Sequence, residues 1–302
     1  MALTINTNLS SMIVQNNLSK STAQLNQAIE RMTTGYKINH ASDNAAGYSI
    51  ARNWEAKLGS LDVAADNAAT GADMLSTLED NYALISTHVQ RVRDLTEQAA
   101  NGTYGTDSKN AIKAEIEARL QEIDRIAANC EFNGIDLMAG DAPVGGIDIQ
   151  VGIEGTSTKS RINLKQDLFA DGSVASLFDV TGYTVPTGEG DTEAEQNADL
   201  ISKIATDCAI NSSTSMLDTI DKVINKISTR ITTLGAAQNR IESAIESIGV
   251  QSENITSSLS TLRDADVATE SSNYIKAQIL QQASATLLAT ANQTPSIALN
   301  LL

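Results

Sequence analysis

Aliphatic residues recur at alternating steps of three and four through the second half of the chain. The ladder reads Leu217, Ile220, Ile224, Ile227, Ile231, Leu234, Gln238, Ile241, Ile245, Ile248, Ser252, Ile255, Leu259 and Leu262. This heptad seam predicts a long helix packed along its whole length. It holds no proline, and its glycines are Gly235 and Gly249. A second ladder runs Trp54, Leu58, Leu61, Ala65, Ala68, Ala72, Leu75. It shifts one step and continues Leu78, Tyr82, Ile85, Val89, Val92, Thr96, Ala99. The small residues of its first half admit a close neighbour. Asn101 to Gly105 ends this helix, with Gly102 suited to a left-handed cap. Ile112, Ile116, Leu120, Ile123 and Ala127 predict a third helix over about 107–129. Its short connection folds it back antiparallel on the second.

The chain ends carry weaker patterns. Residues 4–34 place Ile5, Leu9, Met12, Leu25, Ile29 and Met32 in register, with polar rungs Asn16, Ser19 and Thr22 between them. Such a segment is too polar to be a stable helix alone. Gly35 to Asp43 is a break, and Ser42 or Asp43 is placed to cap the helix that follows. Beyond Leu262 the strong rungs are Ile275, Ile279, Leu280, Leu287 and Leu288, and the last residues include Leu301 and Leu302. Helix continues to about Asn292, with Pro295 marking its end.

Residues 130–190 read differently. Ten of the 18 glycines fall there, and two of the 3 prolines. Ile147, Ile149, Val151 and Ile153 alternate, Glu154 to Ser157 forms a turn, and Ile162 and Leu164 alternate again. This is a β-hairpin near 145–165. Residues 166–192 form a short irregular or β surface insert, and helix resumes near 193. The predicted fold is mainly α: a long antiparallel, coiled-coil-like helical bundle drawn from both chain ends, with a small hairpin-containing insert. Residues 44–100 lie antiparallel to about 205–262, and the first segment meets the last. Three regions follow: 1–40 with 263–302 as a terminal assembly domain, 41–165 with 193–262 as a helical rod domain, and 166–192 as the insert.

Composition narrows the function. Aromatics make up 3% of 302 residues, which suits narrow helix seams rather than a thick core. A formal charge of −16 argues against nucleic acid and against anionic lipid as partners. No apolar run is long enough to span a membrane, and the first residues lack the n- and h-regions of a cleavable signal. Cys130 and Cys208 make neither a disulfide framework nor a metal site and read as small, partly buried thiols. His40 and His88 read as structural or solvated. No catalytic, cofactor or metal motif is present, so the chain reads as a non-enzyme whose work is association. The amphipathic ends order when several apolar faces are gathered by self-assembly.

Ordered motifs then carry a resemblance. Ile5-Asn6-Thr7-Asn8-Leu9, Ile29-Glu30-Arg31-Met32, and Asn39 through Gly47 stand near the start. Gln90-Arg91-Val92-Arg93-Asp94-Leu95, Gln98 through Thr103, Glu122 through Ile126 and Phe132-Asn133-Gly134 follow. Leu234-Gly235-Ala236, Gln238-Asn239-Arg240, Asp264-Ala265-Asp266, Lys276 through Ala283 and Ala291-Asn292-Gln293 close the series. Over about 1–140 and 215–302 the chain resembles a bacterial flagellin, in a short form without large outer domains. Trp54 stands where the family usually has Phe, and His40 where a small polar residue is commoner.

The resemblance implies a filament subunit, secreted without cleavage through the flagellar type III apparatus into the extracellular flagellum, for swimming. It implies partners: further copies of the chain, an export chaperone at the C-terminal segment, and filament cap and hook-junction proteins. It also implies innate sensing, by the Toll-like flagellin receptor at Arg91, Leu95, Gln98 and Glu115, and by a cytosolic inflammasome sensor at the C-terminal helix. Self-association falls to Ile5, Leu9, Leu25, Ile29, Met32, Ile275, Ile279, Leu280, Leu287, Leu288, Leu301 and Leu302. A hook–filament junction protein and, from another class, a soluble coiled-coil signalling protein are the alternatives.

Overall fold

A computed structural model describes residues 8–138, 146–154, 160–178, 193–210 and 214–299. The helices are α1 (Leu9–Thr34), α2 (Ala45–Ala100), α3 (Thr106–Ala128), α4 (Val174–Phe178), α5 (Glu193–Ala209), α6 (Thr214–Arg263) and α7 (Val267–Leu299). Strands β1 (Glu131–Phe132) with β2 (Ile135–Asp136), and β3 (Ile147–Gln150) with β4 (Arg161–Leu164), form two antiparallel hairpins. A 3-10 turn spans Gln166–Phe169. The expected mainly α fold with a small hairpin insert is what the chain adopts. Two compact units divide it: residues 1–59 with 251–302, and residues 60–250.

The 60–250 unit holds one continuous apolar core, from Ala68 to Ile241. On α2, Leu75, Leu78, Tyr82, Ile85, Val89, Val92 and Leu95 are buried. On α3, Ile112, Ile116, Leu120 and Ile123 are buried. On α6, Ile220, Ile227, Leu234 and Ile241 are fully enclosed, while Leu217, Ile224, Ile231 and Ile245 are half-buried. The seam therefore has an inner row spaced by seven and an outer row. Cross-contacts fix its direction: Glu79 meets Gln238, Tyr82 meets Arg230, and Arg93 meets Asp221. Residue number rises on α2 as it falls on α6, so the two are antiparallel, as the ladders predicted.

The β3–β4 hairpin buries Ile149, Ile162 and Leu164. Its register pairs Ile147 with Leu164 and Ile149 with Ile162, in line with the alternation. The turn expected at Glu154–Ser157 falls, past Glu154, outside the described residues. Gly71 on α2 leaves room for β3, since a Cβ there would collide with the Ile149 side chain. The shorter hairpin turns on Asn133 and Gly134, both left-handed at φ 51° and 77°. That is the backbone a two-residue type I′ loop demands. The Asn-Gly dipeptide carried this signal, yet the hairpin was not among the sequence expectations.

Several local expectations need correction. Gly102 is not left-handed. Instead the Asn101 side chain accepts from Thr103 N, and Asn101 O accepts from Tyr104 N, so an Asx turn closes α2. Neither Ser42 nor Asp43 caps α2. Asn44 does, its Oδ1 accepting from Gly47 N at 2.9 Å. The helix beyond residue 193 is not one piece. It breaks before α6 and again at Asp264–Asp266, where the chain bridges to the α1–α2 link. Pro295 does not end α7, which runs on to Leu299. Within 166–192, the described residues hold a 3-10 turn and a short helix rather than strand, because Phe169, Val174, Leu177 and Phe178 all face the core at helical spacing.

The unit formed by the chain ends is built from other material. Its enclosed side chains are Ala28, Ile38, Ala51 and Ala277, together with Ser21, Glu270 and Ser284. Helices α1 and α7 run antiparallel. Asn8 meets Ala291, Ser11 meets Asn292, Thr22 meets Gln281, and Arg31 meets Glu270. Gly35 closes α1 in the left-handed conformation at φ 74°, its N–H donating to Arg31 O.

Candidate self-assembly surface and receptor motif

Small residues bring α1 and α7 together, so their large aliphatics have no room in the seam. Leu9, Ile29, Met32, Ile275, Ile279, Leu280 and Leu287 are exposed, and Leu25 and Leu288 are half-buried. Leu9 keeps 67% of its surface in solvent and Ile279 59%. Met12 and Ile13 are also exposed, and the sequence ladder had not assigned Ile13 a role. Ile275, Ile279 and Leu280 share one open apolar groove on α7 with Ser272 and Lys276. Isolated exposed leucines are ordinary, but the groove that gathers Ile275, Ile279 and Leu280 is the kind of patch that marks an interaction surface. Ile5, Leu301 and Leu302 lie outside the described residues.

The α1–α2 and α6–α7 links are clasped at the other end of this pair. Tyr36 and Asp264 form a β-bridge. Lys37 N donates to Arg263 O and Ala265 N to Gly35 O. The Arg263 guanidinium pairs with Glu55 and lies 4.0 Å over the Tyr36 ring, a cation–π contact. Asp43 accepts from the backbone N–H of His40 and of Asn39. The His40 bond is the main reason its carboxyl is held below the ordinary range. His40 itself sits against Glu30 at 2.8 Å.

The residues matched to the receptor motif lie in the 60–250 unit. Arg91 binds Glu115 through two donors, at 3.0 and 2.9 Å. Gln98 donates to the Tyr104 hydroxyl at 2.9 Å. Arg91, Gln98 and Glu115 are exposed or nearly so. Leu95 is not: only 1% of its surface is open, and it belongs to the core. Arg91 and Arg93 point apart, as expected, and Arg93 instead reaches Asp221 at 2.7 Å.

Both cysteines are buried. Desolvation pushes the Cys130 thiol up to about 11 and the Cys208 thiol up to about 12. Among the described residues no three His, Cys, Asp or Glu gather as a metal site. Among them, too, no helix is long and apolar enough to cross a membrane.

Helices from both chain ends that pair through small residues and leave their aliphatics outside define a class: a helical structural subunit that associates with further copies. Comparison with known proteins gives the family. Residues 5–142 match the bacterial flagellin N-terminal helical region, and residues 217–302 the C-terminal helical region. The chain is 39% identical to a flagellin of Xenorhabdus nematophila and 38% identical to one of Serratia marcescens, each alignment covering all of both chains. A solved structure, the crystal structure of a Bacillus cereus flagellin, aligns at 24% identity and a TM-score of 0.40, over 61% of this chain and 88% of that one. The chain belongs to the bacterial flagellin family. Members of this family are structural rather than catalytic, and this chain is accordingly an extracellular subunit of the flagellar filament.

Proposed function

We propose that the chain is exported through the flagellar type III apparatus, polymerises through its terminal helix pair, and serves swimming motility. The observation that carries this is the unburied apolar row of α1 and α7 over a seam of alanine and serine. Residues 1–40 with 263–302 act as the assembly domain, 41–165 with 193–262 as the helical rod domain, and 166–192 as the variable insert, tied to the rod's core through Phe169, Val174, Leu177 and Phe178. Leu301 and Leu302 extend the C-terminal assembly segment, and Ile5 the N-terminal one. A two-helix pair with so little enclosed apolar surface is marginal in the monomer. Further copies complete it, which couples ordering to assembly and restrains polymerisation before export. An export chaperone covers the C-terminal segment beforehand, and cap and hook-junction proteins meet the filament ends.

Electron microscopy tests the assembly role. The purified chain grows long filaments, and an Ile279→Ser, Leu287→Ser chain does not, while the unfolding midpoint of the 60–250 unit stays within error. Limited proteolysis adds a second check: 1–34 and 263–302 are cut in the monomer and protected in filaments. Filaments from the doubly substituted chain would remove the proposal.

Innate sensing is the further part. The Toll-like flagellin receptor meets the exposed Arg91, Gln98 and Glu115, while Leu95 supports them from the core. A Leu95→Ala variant therefore reports packing as much as recognition. Arg91→Ala and Glu115→Gln are the cleaner pair, and full receptor signalling by both would remove this reading.

A further inference from the structure

Charge is scarce on the terminal helix pair. Over its 33 residues α7 carries two charged side chains, Glu270 and Lys276. Helix α1 carries Lys20, Glu30 and Arg31. The pair thus holds three basic groups against two acidic ones, in a chain of formal charge −16. Both acids are engaged. Glu30 meets His40 at 2.8 Å, and Glu270 meets Arg31 at 3.3 Å and accepts from Asn273. Asp43, in the α1–α2 link, lies close enough to feel the Arg31 charge. It is already held by the His40 and Asn39 N–H groups and by Gln27.

Two cations are left short of acceptors. Lys276 has no ion-pair partner among the described residues. No carboxylate stands three or four positions from it on α7, where Ser272, Asn273, Ile279 and Leu280 lie. Arg31 reaches Glu270 through Nη1, while its Nε is enclosed with no partner. A guanidinium so placed gains from a further acceptor. Arg31 and Lys276 line one polar cavity of about 250 Å³ between α1 and α7, with Gln24, Gln27, Glu270 and Asn273. Lys276 also borders the apolar groove of Ile275, Ile279 and Leu280. Cavity and groove therefore meet at one side chain.

We propose that this cavity receives a carboxylate side chain of a second copy, bound by the Lys276 ammonium and the Arg31 guanidinium, while aliphatic neighbours of that carboxylate fill the groove beside it. The pair's own carboxylates are taken, so the incoming Asp or Glu belongs to a region of the second copy outside α1 and α7. The acidic remainder of the chain supplies many such groups. An apolar groove alone accepts many alignments of its occupant, whereas a paired charge beside it fixes one. This rests on the assembly reading and names the chemistry that the terminal pair recognises in its neighbour.

A carbodiimide, which condenses an ammonium with a carboxylate only where the two touch, tests this on the full chain. Filaments grown from ordinary and heavy-isotope copies together separate joints between copies from joints within one. In filaments, Lys276 is joined to an Asp or Glu of another copy outside α1 and α7, and in the monomer it is not. Lys276→Gln raises the concentration needed for filament growth about fivefold, and Lys276→Arg by about twofold or less. The difference between the two variants shrinks at high salt. Three results overturn the proposal: a joint to Glu270 of the same copy or to Glu30 of another, a Lys276 as open to acetic anhydride in filaments as in the monomer, or equal growth of Lys276→Gln and the unsubstituted chain. Failure of the assembly reading shows elsewhere: the unsubstituted chain would form no filaments under the microscope.

Discussion

The two units of this chain use helices of the same kind and bury opposite chemistry. The 60–250 unit encloses leucine, isoleucine, valine and phenylalanine. The unit of the chain ends encloses mostly alanine, serine and one glutamate. The contrast is sharpest along α6, which contributes to both. Its rungs Ile220, Ile227, Leu234, Ile241 and Ile248 are buried, whereas Ser252, Ile255, Leu259 and Leu262 are only half-buried. The three-four ladder does not change across this point. What changes is the company: α6 residues up to Ile241 belong to the core cluster that also holds residues of α3, the β3–β4 hairpin and α5, and the later rungs do not. A full core makes a monomer stable, and an unfinished one asks for further copies.

Substitutions can break that contrast in order of size. Leu234→Ala hollows the closed core and lowers unfolding free energy by about 2–5 kcal/mol, measured by denaturant titration of the monomer. Leu287→Ala, on a side chain 57% exposed, changes it by less than about 0.5 kcal/mol, yet weakens filament growth. If both variants lose comparable monomer stability, the two units are not different in kind. Gly71→Ala drives a Cβ into the Ile149 side chain; the overpacking, about 1–3 kcal/mol, is partly offset by the about 1 kcal/mol that alanine gains over glycine inside a helix, and the net loss is read in the same titration.

Tyr82→Phe comes next. The Tyr82 hydroxyl donates to Ala170 O at 3.0 Å, and Arg230 donates to that hydroxyl at 3.2 Å and to Asp171 O at 2.9 Å. Removing it leaves a half-buried carbonyl short of a donor, for about 1–2 kcal/mol. The 170–178 segment should then exchange its amides faster, while α1 and α7 are unaffected. Exchange unchanged in that segment would show that the apolar contacts of Phe169 and Phe178 hold it without the polar staple.

The smallest effects are those of pH, and they carry opposite signs in the two units. Asp43 has its carboxyl lowered from 3.8, chiefly by the His40 N–H, with smaller lowering by Asn39, Gln27 and Arg31. A lowered folded value stabilises above 3.8, and that contribution fades as pH falls through the folded value. Asp124 is raised from 3.8 by burial, against the bond it accepts from Val174 N. Its folded form favours the proton, so stability is lost as pH rises from 3.8 through the folded value. Acidification should thus loosen the α1–α2 link before it harms the α3–α4 contact. Hydrogen exchange below pH 4 would order the two, and protection lost first near Val174 would reverse the assignment.

The sequence determined a good deal by itself. Period decided the helices, because a residue in the seam must return to the same face every three or four positions. Alternation decided the β3–β4 hairpin for the same reason. The weak, polar rungs of the two end segments set them apart from the strong ladders of the 60–250 unit. Tertiary structure decided the rest. Ladder position could not separate the inner row of α6 from the outer, since burial depends on what else packs there. It could not show that Leu95, four residues from the exposed Arg91, lies within the core. It drew a boundary at 262/263 but could not show that the helix is interrupted at Asp264–Asp266, where the bridge to Tyr36 replaces a turn of helix. The hydrogen bond from Asn8 to the Ala291 carbonyl was equally invisible, for two residues so far apart meet only when the helices that carry them are paired.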